Sequence, residues 1–186
     1  MKTFLNQFAQ NPEECLINNV EKQKFSYAFI GYALGTISVY FAIKLNSLTQ
    51  AALGSFLITC LFWFFFNILI NFILAALANL FLEFAGYQSK ASGIFILLGL
   101  SQFILTLLVP CYLIKQAFSS ATGLMPLFCF GIIFLQIYFI LSAMKKTFDL
   151  SKTVSFLAFI LSFLFPFLAG FGLIVFLISL FIVLFP

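Results

Sequence analysis

Between Glu21 and Asp149 the chain carries a single acid, Glu83, and the residues around it form long apolar runs broken by short polar loops. That pattern leaves few folds open, because about 20 consecutive apolar residues are what a helix needs to cross the hydrocarbon core of a bilayer. Composition points the same way: 64% of the 186 residues are hydrophobic and 8% charged, too little polar surface to cover a soluble globule of this size. The chain is expected to be an all-α integral membrane protein.

Five spans are predicted, at about 25–44, 51–82, 92–115, 123–144 and 153–185. The second and fifth are near 33 residues, about 50 Å of helix against a core of about 30 Å, so they are expected to tilt, bend or project. Pro166 with Gly170 and Gly172 offers a kink in the fifth, and Asn67 and Asn71 offer bending points in the second. Ahead of the spans, NPEE at 11–14 reads as a helix start: Asn11 caps, Pro12 takes the first helical position, and Glu13 and Glu14 suit the dipole. Leu16, Ile17 and Val20 then share a face, which predicts a short amphipathic helix on the membrane surface within a cytoplasmic segment 1–24, followed by the membrane domain 25–186. The Asn and Gln residues of MKTFLNQFAQ argue against a cleavable signal peptide.

Lysine counting sets the expected orientation. With the N-terminus inside, cytoplasmic segments hold Lys2, Lys22, Lys24, Lys90, Lys145, Lys146 and Lys152, and outer loops hold Lys44 and Lys115. The positive-inside rule then gives N-in, C-out.

Inside the spans, small and polar residues recur at helical spacing. The first carries Ala28, Gly31, Gly35, Ser38 and Ala42, a stripe that lets helix backbones approach closely and serves either internal packing, the expected use, or self-association. In the second, Asn67, Asn71 and Asn79 follow one slowly drifting face, with Gln102 and Thr106 on the third span and Gln136 on the fourth as candidate partners. Amides facing lipid are costly, so these six residues are expected to form a polar seam; a hydrated path is the alternative. Glu83, beside Gly86 and Lys90, is expected at headgroup level, where the second helix leaves the membrane and a cytoplasmic contact surface begins.

The residue inventory excludes several functions. All nine basic residues are Lys and there is no His, so His relays, His-ligated metals and arginine clamps are not available. Cys15, Cys60, Cys111 and Cys129 lack any CxxC spacing and read as buried free thiols. The +4 charge is scattered over short segments, with no patch for nucleic acid. No paired acids or base-activated Ser can be assembled, so no enzyme, cofactor or metal is expected.

NPEE at 11–14, FIGYALGT at 29–36, NLFLEFAGYQSKAS at 79–92, LLGLSQ at 97–102 and a Pro110 ending the third span together resemble the Yip domain family of multi-spanning Ypt/Rab-interacting-type membrane proteins. Relatives of the bacterial type have His at the Asn79 position and Gly-Gly where Gly86 and Tyr87 stand, and the long acidic-aromatic leader of eukaryotic members has no counterpart in residues 1–24. The resemblance implies a compact bacterial-type member, in the inner membrane rather than the Golgi or endoplasmic reticulum. It implies a scaffold or accessory role, with the lipid bilayer and other membrane proteins, or copies of itself, as partners. The alternatives are a small oligomeric transporter or channel built on the polar seam, and a membrane-shaping protein.

Overall fold

A computed structural model describes residues 2–47, 53–118, 123–166 and 168, and among them every regular element is helical. Two short helices, α1 (Lys2–Gln10) and α2 (Pro12–Glu21), precede the spans α3 (Phe25–Ser47) and α4 (Leu53–Phe84). The third span is composite: α5 (Ala91–Ser101), a 3₁₀ segment (Gln102–Leu107) and α6 (Leu108–Ala117). Then come α7 (Met125–Thr147) and an apolar helix α8, Lys152–Pro166. Four helices are long and apolar enough to cross a membrane. Of the predicted fifth span the described part is essentially α8; the expected kink at Gly170 and Gly172 lies outside the described residues.

The third span is the hub. It packs against α3, α4 and α7, and its first half, α5, also meets α2. Helices in lipid gain nothing by hiding apolar surface, so close backbone approach decides which surfaces meet. The small-residue stripe of α3 provides that approach. A Cβ placed on Gly31 would lie 2.1 Å from the Gly99 carbonyl oxygen, and one on Gly99 would lie 2.8 Å from the Ala28 carbonyl oxygen. The buried Tyr32 ring fits beside this crossing and donates its hydroxyl to the Phe95 carbonyl at 2.8 Å. Gly31, Gly35 and Ser38 thus serve internal packing, with Ser38 buried.

The structure shows which spans are interrupted. The second span is one unbroken helix of 32 residues through Asn67 and Asn71. The irregularity falls instead in the third span, which does not end at Pro110 but continues to Ala117. Pro110 has no N–H to give to the Thr106 carbonyl and its ring crowds that carbonyl. The chain just ahead tightens into six residues of 3₁₀ helix.

The N-terminal segment is two helices where one was expected, and both pack on the bundle. The Asn11 side chain caps α2 by accepting from the Glu14 N–H at 3.4 Å. Leu16 and Val20 are buried against α7 and α5, and Glu13 pairs with Lys146 at 3.0 Å while accepting a hydrogen bond from the Ser142 hydroxyl. The apolar side of α1 lays Phe4 4.8 Å from Tyr27 and 5.1 Å from Phe103, ring centre to ring centre.

These contacts gather the lysines. Lys22, Lys24, Lys90, Lys145, Lys146 and Lys152 collect at one end of the bundle, where Val20, Gly93 and Phe148 meet. Lys44 and Lys115 sit at the other, where the Gln116 amide donates to the Leu45 carbonyl at 2.8 Å.

Candidate functional site

Halfway along the bundle, α3, α4 and the third span meet at a cluster of amides. Asn67 and Gln102 face each other as a reciprocal pair: Asn67 Nδ2 donates to Gln102 Oε1 at 2.8 Å and Gln102 Nε2 donates to Asn67 Oδ1 at 3.0 Å. Asn67 Nδ2 also donates to Thr36 Oγ1 at 2.9 Å, and Asn67 Oδ1 accepts from Asn71 Nδ2 at 2.6 Å. Two donors and two acceptor positions are what an asparagine side chain has. Asn67 therefore has its hydrogen-bonding capacity filled, by three helices.

Local sequence explains the placement. Asn67 and Asn71 are one turn apart on α4, so the second amide reaches back to the first and to its carbonyl, the latter at 2.8 Å. Thr36 follows Gly35, whose missing side chain admits Gln102: a Cβ there would lie 2.6 Å from Gln102 Oε1. Gln102 is the first residue of the 3₁₀ segment. The cluster is thus built where the small-residue stripe and the tightened turn coincide.

The other seam candidates go elsewhere. Gln136 on α7 donates to Ser101 Oγ at 3.3 Å, one residue from the cluster but on another face. Thr106 turns its hydroxyl to the Phe103 carbonyl within its own helix, at 2.6 Å. Asn79 lies at the end of α4, donating to Glu83 Oε1 and accepting from the Ser89 hydroxyl, both at 2.7 Å. Five of the six residues therefore fall not into one seam but into a central cluster, a side pair and a chain at the lysine-rich end, and Thr106 joins none of them. Thr36 and Ser101 complete the first two; each directly follows or precedes a residue singled out in the sequence, Gly35 and Gln102.

Two clefts flank the amides. The smaller, about 390 Å³, is lined by Thr36, Asn67 and Gln102 with Tyr40, Trp63 and Leu105. The larger, about 610 Å³, has Asn71, Ser101 and Gln136 among the apolar side chains of α7 and α8. The Asn67–Gln102 pair links α4 to the third span through two hydrogen bonds.

Glu83 lies in the last turn of α4. The Gly86 N–H bonds to the Glu83 carbonyl at 3.0 Å and the Tyr87 N–H to the Leu82 carbonyl at 2.9 Å, a Schellman cap that needs Gly86 at φ +83. Lys90, in extended conformation, opens α5. Among the described residues no group of three or more His, Cys, Asp or Glu is placed to hold a metal. All four thiols are free, Cys15 and Cys60 buried, Cys111 and Cys129 only half-buried.

No protein-family profile, curated protein or solved structure matches the chain.

Proposed function

We propose that this is a non-enzymatic multi-pass scaffold or accessory protein of the Yip type, with its lysine-rich end and N-terminus in the cytoplasm and other membrane proteins as partners. A bacterial inner membrane is the setting that its compact form fits. One observation carries the reading: Asn67, the amide at the centre of the mid-bundle cluster, is spent entirely on its neighbours. A transporter needs polar groups left over for its cargo, and Asn67 has none.

Two further features support it. The outer side of α4, with Phe62, Phe65, Leu69 and Phe72 largely exposed, offers a long apolar face for another membrane protein or lipid. The apolar sides of α1 and α2 are taken up by the bundle, which leaves little to wedge a leaflet and weighs against membrane shaping.

A photo-crosslinking amino acid at Phe65 or Phe72, activated in native membranes, tests the reading. Discrete adducts to the same membrane protein from both positions are expected. Lipid adducts alone, together with solute flux in proteoliposomes that Asn67→Leu abolishes, would overturn it in favour of a transporter. The one feature favouring that second reading is the larger cleft, where Asn71, Ser101 and Gln136 face the same space.

A further inference from the structure

The lysine-rich end holds a cleft that the scaffold reading does not use. It lies between the last turns of α7 and the first of α8, has a volume of about 480 Å³, and is lined by Lys145, Lys146 and Lys152 with the Ser142 and Thr153 hydroxyl-bearing side chains. Its walls toward the apolar part of the bundle are Tyr138 and Phe156. Both rings are about half exposed on the outer surface of the bundle.

The charges in this cleft do not balance. Glu13 approaches from α2 and takes Lys146 at 3.0 Å, and its other partner is Ser142. Asp149 lies in the turn between the helices but does not line the cleft. Among the described residues Lys145 and Lys152 form no ion pair, although Glu13 lies near enough to feel the charge of Lys145. Lys152 also begins α8, at the positive end of the helix dipole, where a cation is disfavoured. Three lysines from two helices therefore line one cleft with the single carboxylate of Glu13 near them, which leaves a net positive charge there. An anion between them would relieve both their mutual repulsion and the clash with the dipole.

The position says which anion. Tyr138 lies two turns along α7 from Lys145, and Phe156 one turn along α8 from Lys152, each on the side toward the membrane core. A phosphate held by the lysines would thus have an apolar, aromatic-lined track directly beneath it for acyl chains. Basic pockets between helices at the interface are suited to anionic lipid headgroups. We propose that the α7–α8 cleft binds the headgroup of an anionic phospholipid, with Lys145 and Lys152 as the cations and Tyr138 and Phe156 along its chains.

The test is native mass spectrometry of the full chain from neutral detergent, with phosphatidylglycerol and phosphatidylcholine of identical chains added at equal concentration. Preferential retention of phosphatidylglycerol is expected. The double variant K145Q/K152Q should lose about 25-fold in that retention, roughly fivefold per lysine. The control K44Q/K115Q, with the same change in charge at the far end, should retain the lipid, and K145R/K152R should restore it. Circular dichroism checks that each variant keeps its helices. Equal retention of the two lipids, or equal loss in the control, would overturn the proposal. So would displacement of the lipid by inorganic phosphate at matching concentration, because the site would then be one for a free anion.

Discussion

The third span and α4 are equally apolar, with a mean hydropathy of 2.3 in each, yet 61% of the most apolar stretch of the third span is buried against 11% for α4. The difference lies in the kind of apolar residue. The third span carries Gly99 where α3 crosses it, so the two backbones meet there, and Gly93 where Val20 and Phe148 close in. α4 carries Phe62, Phe65, Phe66 and Phe72, rings that hold neighbours away and fill space in lipid. Hydropathy thus decides whether a helix enters the membrane, and side-chain size decides whether it ends up at the centre or the edge.

The strongest way to break this comparison is to put bulk at the crossing. Gly31→Leu must push the third span away from α3, since even a methyl group would meet the Gly99 carbonyl oxygen at 2.1 Å; overpacking of this kind costs about 3 kcal/mol. Phe65→Ala, on the exposed face of α4, should change stability by less than about 0.5 kcal/mol. Unfolding of both variants in the same detergent measures the gap, and equal losses would mean that α4 is packed as tightly as the hub.

The next effect comes from the Asn67–Gln102 link between the two helices. Asn67→Leu leaves the Gln102 amide facing hydrocarbon and removes a bond to Thr36, which should cost about 1 to 2 kcal/mol. Gln102→Leu should cost about as much, and the double variant less than the sum, because the two amides are each other's partner. Strict additivity in this cycle would show that the pair does not couple α4 to the hub.

The smallest effect is at the rim. The Ser142 hydroxyl, above all, and then Lys146 hold the Glu13 carboxyl below its ordinary range. A carboxylate depressed on folding stabilises above its unfolded pKa, and that contribution is lost as pH falls through the folded value. Hydrogen exchange in α2 should therefore accelerate below the carboxylate range, while exchange in the third span stays unchanged. Glu13→Gln should remove the pH dependence.

Much of this arrangement was legible in the sequence, and the limits have physical causes. Span positions came from apolar length alone, and the ends of the first four fall within a few residues of those expected, while the far end of the fifth lies outside the described residues. The Gly31 and Gly35 stripe pointed to close packing because small residues have no other use in lipid, and Asn67 with Gln102 were obvious mutual candidates as amides in facing spans. The partners of Gln136, Asn79 and Thr106 were not legible, because a hydroxyl can turn to its own backbone and an amide can take whichever partner the helix rotation presents. Nor was the break in the third span expected. Pro110 was visible, but a proline can end a helix or tighten the turn before it, and only the packing of Gln102 against Gly35 distinguishes the two. The docking of α1 was missed because Phe4 and Phe8 are too few to show a period.

The central claim is that the third span forms the interior and α4 the lipid-facing edge. Labelling of the unmodified protein in bilayers with a lipid-dissolved photoactivated carbene reagent, read peptide by peptide by mass spectrometry, tests it most directly. Heavy labelling over residues 57–73 and almost none over 94–104 is the result the packing requires. Comparable labelling of the two stretches would contradict it.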